Sequence, residues 1–234
     1  IACHEEYFGL KKLYDLCEES AKIFHPMMVG RVIARPFLGN DKNTFYRTNN
    51  RKDYTILPPK PTVCEIVTGS GRSCHAIGKI SDIFANRGIS TSVGGMSDDR
   101  LFDEMLKIIN TAQDGDLIFA NFVEFDSLYG HRRDVSGFAL ALERFDKKIG
   151  NLLTLINSDD FLIITADHGN DPTFKGSDHT RERVPVLMSG KYAQVGNHGK
   201  IFFSDVGATM LSYLGIEGEI EGGNIFVRKK MKKN

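Results

Sequence analysis

The stretch "DLIFANFVEFDSLYGHRRDVSGFALALERFDKKIGNLLTLINSDDFLIITADHG", residues 116–169, decides the fold. It opens on an apolar run (116–122), crosses a polar loop, and enters a helix-like segment at 135–156. Phe138, Leu142, Phe145, Ile149, Leu152 and Ile156 recur there at steps of three and four, which predicts one buried helical face. A second apolar run at 160–166 stops at Asp167, His168 and Gly169. Runs that are apolar throughout, without alternation, belong to strands covered on both faces. Alternating with helices, they predict an α/β fold: a mostly parallel sheet with helices on both faces.

The same pattern extends outward. "CHAIGKI" (74–80) and "VPVLMSG" (184–190) read as strands. Residues 98–113 read as a helix opening at "SDD", with acidic residues in its first turn. Ser204 is expected to cap a last helix, which Gly215 ends. Toward the amino terminus the character changes. Residues 5–24 predict an amphipathic helix with Leu10, Leu13, Cys17, Ala21 and Phe24 inside, closed by Pro26. "MMVGRVIARPF" (27–37) predicts a strand stopped by Pro36, and 44–47 a short one. "LPPKP" (57–61) is the most linker-like segment. Two domains are therefore expected, a small one over 1–59 and the α/β core over 60–234.

Composition bounds the rest. A chain of 234 residues can bury a real core, and 41% hydrophobic with 26% charged residues is ordinary for a globular protein. Zero net charge gives no global field favouring nucleic acid or membrane, so neither partner is expected. The basic end "RKKMKKN" (228–234) reads as a solvated tail. Cys3, Cys17, Cys64 and Cys74 form no CxxC pair, which fits free thiols in a reducing cytoplasm. No stretch approaches the ~18 apolar residues of a membrane helix. The chain shows neither a signal-peptide pattern nor an initiator Met.

The chemistry gathers at two strand ends, where ligands of open α/β sheets bind. After 116–122 come Asp126 and His131; after 160–166 come Asp167, His168 and His179. Neighbouring side chains in a strand point to opposite faces, so Asp167 and His168 can share a site only if the strand has ended. Gly169 is expected to permit that departure. An oxygen and nitrogen ligand set without thiolate suits Mn²⁺ or Zn²⁺. Five ligands exceed the needs of one catalytic ion, and two ions suit in-line phosphoryl transfer. Two divalent ions bring four positive charges, against which Asp126 and Asp167 return two. A further carboxylate and a nucleophile are expected from outside this chain. Asp98, His75 and His198 read as solvated or capping residues, and Asp171 and Asp178 as turn residues.

These motifs resemble the alkaline phosphatase superfamily, and within it the phosphopentomutase family. "GRVIARPF" (30–37), "GKISDIF" (78–84), "FDSLYGHRRD" (125–134) and "TADHGNDPTFKGSDHTRE" (165–182) follow that family's order. Asp126 and His131 are five apart with "HRRD" following, unlike the spacing of four in the related phosphoglycerate mutases. The resemblance implies an alkaline-phosphatase-like core plus part of a small α+β cap domain. It implies two divalent ions, usually Mn²⁺. One would take Asp126, His131 and His179. The other would take Asp167 and His168, with an Asp and a phosphorylatable Thr from the family's N-terminal portion. That portion is the expected partner, because the chain matches the family only from within the cap onward. The implied reaction interconverts ribose or deoxyribose 1-phosphate and 5-phosphate, with a sugar bisphosphate such as glucose 1,6-bisphosphate priming the Thr. Arg31 matches a cap residue that faces this pentose phosphate substrate. Arg35, Arg47 and Lys79 are further candidates for its phosphate. Two other readings stay open: another metal-dependent phosphatase or phosphoglycerate-type mutase, and an inactive metal- or sugar-phosphate-binding protein.

Overall fold

The computed structural model describes residues 1–224. The basic 228–234 tail lies outside them. The chain forms two compact units, Ile1–Pro59 and Lys60–Asn234.

The first unit is one helix on a four-stranded sheet. Strand β1 (Ala2–His4) runs parallel to β2 (Arg31–Leu38). Strands β3 (Tyr46–Arg47) and β4 (Lys52–Thr55) pair antiparallel with β2. Helix α1 (Leu10–Phe24) covers one face: its Leu13, Cys17 and Ala21 pack on Val32 and Ala34. The expected helix start at residue 5 is displaced. Glu5–Gly9 forms a π-type turn, and Gly9 at φ 92° breaks it from α1. Phe24 is exposed rather than inside.

Pro36 does not stop β2; it lies within it and is fully buried. The reason is positional. The Arg35 N–H donates to Ile1 O at 2.8 Å on the β1 side, so the Pro36 nitrogen faces the other edge. There β4 pairing ends at Ala34 and β3 pairing begins at Phe37, so no N–H is required. Strand β4 was not expected from its polar sequence, and pairing with β2 decides it.

In the second unit, β5 (Cys74–Ile77) lies between β6 (Thr91–Val93) and β7 (Leu117–Ala120), all parallel. Helices cover both faces. Helices α2 (Val63–Gly69) and α6 (Phe203–Leu214) contribute Val63, Cys64, Val67 and Leu211 to a core with Cys74 and Leu117. Helices α4 (Asp98–Ile109) and α5 (Val135–Leu155) contribute Leu101, Phe102, Met105 and Leu152 to another with Ile77. A one-turn helix, α3 (Ile80–Ile83), follows β5. Leu117 and Phe119 face the first core while Ile118 and Ala120 face the second, which is why the strand is apolar at every position.

Several details depart from the expected pattern. Helix α2, absent from the expected elements, starts at a Thr62–Glu65 capping box. On α5 Ala141 is buried, as is Leu152, in place of Leu142, which is half-exposed. Helix α6 is closed at its start by Asp205, whose carboxylate accepts the Phe202 N–H at 2.9 Å, not by Ser204. Gly215 ends it in the left-handed region, as expected. Strands β8 (Leu162–Ile164) and β9 (Leu187–Ser189) form a separate antiparallel pair. The long 165–186 loop joins them, with no crossover helix between.

Candidate metal centre

The turn after β7 carries the first candidate ligands. Asn121–Glu124 leave the strand, and Phe125–Gly130 wind as a π-type turn holding Asp126, with His131 immediately after. Asp98 anchors this turn. Its carboxylate accepts the Val123 N–H at 2.9 Å and the Glu124 N–H at 2.8 Å. Asp98 is thus neither solvated nor the cap of its own helix. Burial pushes its carboxyl above the usual aspartate range, against the pull of those two donors. His75, also read as solvated or capping, lies with Nδ1 2.8 Å from Thr91 Oγ1 and Nε2 3.3 Å from Asp116.

The loop after β8 carries the others. The strand ends at Ile164, so Asp167 and His168 are free of its alternation. Gly169 is needed for a different reason from the expected sharp turn. A Cβ there would lie 2.9 Å from Thr180 O and 3.0 Å from Glu182 N. Its bareness lets the 180–182 backbone approach, and Gly169 bridges to Thr180. That bridge sets His179 beside His168, their ring centroids 3.7 Å apart.

Asp126, His131 and His179 meet here, and His168, with Asp167 next to it, stands beside them. Asp126 Oδ2 lies 3.2 Å from His131 Nε2, and Asp126 Oδ1 lies 3.2 Å from His179 Nε2. One ligand atom from each of Asp126, His131 and His179 falls within 4.8 Å of the others. The His131 and His179 rings stack at 4.8 Å. Asp167 Oδ2 sits 3.6 Å from His168 Nε2. An ion about 2.0–2.1 Å from each donor has ligand edges of about 3.0–3.4 Å, so the Asp126 separations fit a shared divalent ion.

The histidine tautomers fit as well. His131 Nδ1 lies 2.5 Å from the Ser177 carbonyl, so Nδ1 carries the proton and the Nε2 lone pair is left for a metal. His168 repeats this with the Gly169 carbonyl at 3.2 Å. Asn170 was missed by the sequence reading. Its Nδ2 donates to Asp126 Oδ1 at 2.6 Å. Gly130 makes room for it, since a Cβ there would stand 2.5 Å from Asn170 Nδ2. Arg133, also missed, lies between the two loops. The only sequence signal for either was its place inside a ligand-bearing motif. Asp171 is the turn residue expected, accepting from Thr173 N at 2.8 Å.

Lys79 stands just past the carboxyl end of β5, the same sheet edge from which the Asp126 segment departs after β7. Arg31, Arg35 and Arg47 belong to the first unit. Val32, Ala34 and Pro36 point into its core, so Arg31, Arg35 and Phe37 occupy the face without α1. Arg47 pairs with Phe37 and shares that face. Arg35, Phe37, Phe45, Tyr46, Arg47 and Ala2 line an open depression of about 310 Å³ there. Arg31 is ion-paired with Asp53 at 3.3 Å, and Arg51 grips the same carboxylate at 2.8 and 2.9 Å. Arg51's hydrogen bonds hold the Asp53 carboxyl below its ordinary range.

Comparison with known proteins agrees with a metal-dependent reading. A family model described as "Metalloenzyme superfamily" matches residues 27–218. The protein named phosphopentomutase from Sinorhizobium medicae (strain WSM419) is 50% identical over 218 residues, 93% of this chain and 54% of that protein. The one from Aeromonas salmonicida (strain A449) is 47% identical over 228 residues, 97% of this chain and 56% of that protein. The chain spans about half the length of the curated relatives it matches. The family match takes in both ligand-bearing loops and most of the α/β sheet, and the chain belongs to the Metalloenzyme superfamily.

Proposed function

We propose that this chain carries the metal-binding core and part of the sugar-facing cap of a phosphopentomutase. The observation that carries the reading is the convergence of Asp126, His131 and His179 within 4.8 Å, in a chain half identical to proteins of that name. Asp126, His131 and His179 would hold one divalent ion, and Asp167 and His168 a second, with Mn²⁺ the expected metal. Such ions, when bound, polarise the phosphoryl oxygens and offset their charge. The chain's own groups do the rest. Ser177 and Gly169 carbonyls fix the histidine tautomers, and Asn170 orients the Asp126 carboxylate. The arginines on the open sheet face would take the phosphate of a ribose or deoxyribose phosphate, Arg31 first, because a guanidinium fork matches phosphate oxygens. Lys79, at the sheet edge shared with the ligand turn, would add a cation.

Two carboxylates leave two charges of a two-ion centre uncompensated. We infer that an N-terminal portion beyond these 234 residues supplies a further Asp and the Thr that carries phosphate. A sugar bisphosphate such as glucose 1,6-bisphosphate would prime that Thr. A cytoplasmic setting fits four cysteines that are all free thiols.

The test is conversion of ribose 1-phosphate to ribose 5-phosphate with Mn²⁺ by the polypeptide bearing that portion. Activity should vanish with chelator, and Arg31→Ala should impair turnover while leaving metal content unchanged. Release of inorganic phosphate without isomerisation would make the protein a phosphatase instead. Metal binding with no reaction at all would make it a binding protein.

A further inference from the structure

Arg133 sits two residues after His131 with φ 55°, a backbone state that a non-glycine residue holds only when its surroundings fix it. Its guanidinium supplies the reason. Nε donates to Gly176 O. Nη1 is shared among Gly130 O at 2.9 Å, Asn170 Oδ1 at 2.6 Å and Asp171 O at 2.9 Å. Nη2 donates to Asp178 O at 2.5 Å. One side chain therefore binds five oxygens drawn from both ligand-bearing loops.

Four of the five contacts lie beside a candidate ligand or beside a residue that holds one. Gly130 immediately precedes His131. The carbonyls of Gly176 and Asp178 flank Ser177, whose own carbonyl holds His131 Nδ1 at 2.5 Å. Asp178 immediately precedes His179. Asn170 accepts from Arg133 through Oδ1 and so must donate through Nδ2, which it does to Asp126 at 2.6 Å. Reversed, the amide would set oxygen against carboxylate. Five oxygens crowded on one point would repel one another without a cation among them. A lysine could not replace it, because an ammonium offers three donors from a single point and a guanidinium five in a planar fork.

We propose that Arg133 is the positioning residue of the metal centre. Acting partly through Asn170, it sets Asp126, His131 and His179 for one divalent ion. The proposal rests on those three residues being metal ligands. On this proposal Arg133 acts through the loops and Asn170 and is not itself a ligand.

The experiment is calorimetric titration of the 234-residue chain with Mn²⁺ and with Zn²⁺, beside a thermal melt of each metal-free variant. Arg133→Ala should weaken the tighter site by about 10–100-fold, the usual effect of losing a group that orients a metal ligand. Arg133→Lys should recover only part of that loss. Asn170→Ala should weaken the same site less, and the Arg133→Ala/Asn170→Ala pair should lose less than the product of the single losses. Arg132→Ala, at an exposed neighbour, should bind like wild type. Wild-type-like affinity in Arg133→Ala, or full recovery with Arg133→Lys, would overturn the proposal and leave the metal reading intact. If the Arg133 variants do not fold, Asn170→Ala decides: unchanged affinity there overturns the relay. If the unaltered chain takes up neither ion, the metal reading falls and this proposal with it.

Discussion

Gly169→Ala tests the joint between the two ligand-bearing loops. Gly169 has no positive φ, so alanine meets no backbone strain there. The obstacle is space. The new Cβ would stand 2.9 Å from Thr180 O and 3.0 Å from Glu182 N, and backbone cannot swing aside as a side-chain tip can. Crowding of this kind costs roughly 1–3 kcal/mol. The Thr180 N–H bond to Gly169 O, 3.0 Å long, would weaken, at up to about 1 kcal/mol. Alanine's lower entropy in the unfolded chain returns roughly 0.4–1 kcal/mol. The crowding term wins at all but its lowest value, leaving a net loss of up to roughly 3.5 kcal/mol, centred on about 2. For a chain of this size a loss of about 2 kcal/mol lowers Tm by roughly 4–8 °C, read in a thermal melt without metal. The same displacement moves His179, next to Thr180, away from His168, next to Gly169. Mn²⁺ affinity should fall about tenfold or more. Gly150→Ala is the control of opposite sign. It lies inside α5 with nothing within 4 Å of its would-be Cβ, so helix propensity should raise stability by up to about 1 kcal/mol. A Gly169→Ala protein that melts at or above wild type and binds Mn²⁺ unchanged would refute the close approach of the loops.

Gly130→Ala should push Asn170 off Asp126 and weaken Mn²⁺ binding about tenfold while barely moving the melt, since helix propensity offsets part of the crowding; unchanged titration would count against Asn170 as the group that orients Asp126. Asp53→Asn should cost under about 1 kcal/mol near neutral pH, because Arg51 and Asp53 are partly exposed and screened. The folded-state pKa of Asp53 lies below its ordinary 3.8, so its contribution is present above that value and lost as pH falls through the folded one. Denaturant titrations of wild type and Asp53→Asn should therefore converge only as pH falls through that lower folded-state value, and a gap that stays constant across the acid range would remove the Arg51 pairing as its cause. Leu152→Ala should cost about 2–5 kcal/mol, because Leu152 is 2% exposed in the core under α4 and α5; a loss below about 1 kcal/mol would mean that this core collapses around the gap.

What the sequence determined was whatever local spacing encodes. The unbroken apolar run 117–120 announced a strand covered twice, and the structure sets alternate residues of it in two separate cores. The long helix after it was legible from its period, although steps of three and four could not say whether Ala141 or Leu142 turned inward. The residue types after the two apolar runs marked candidate metal ligands, three of which the structure brings together. Short polar strands were not legible: β4 and β6 exist because β2 and β5 offer them hydrogen bonds, and nothing in their own residues demands it. Pro36 misled for the same reason. Its missing N–H is harmless only because the facing edge changes partner at that point. The direction of β8 against β9, the tautomer-setting carbonyls and the five bonds of Arg133 also needed the tertiary structure. Arg133 and the oxygens it gathers in the second loop lie 37 to 45 residues apart in sequence, so which of them meet depends on where both loops are brought by the sheet beneath them. Ligand identity is a local property of the chain, while ligand geometry comes from contacts between distant segments, and only packing decides those.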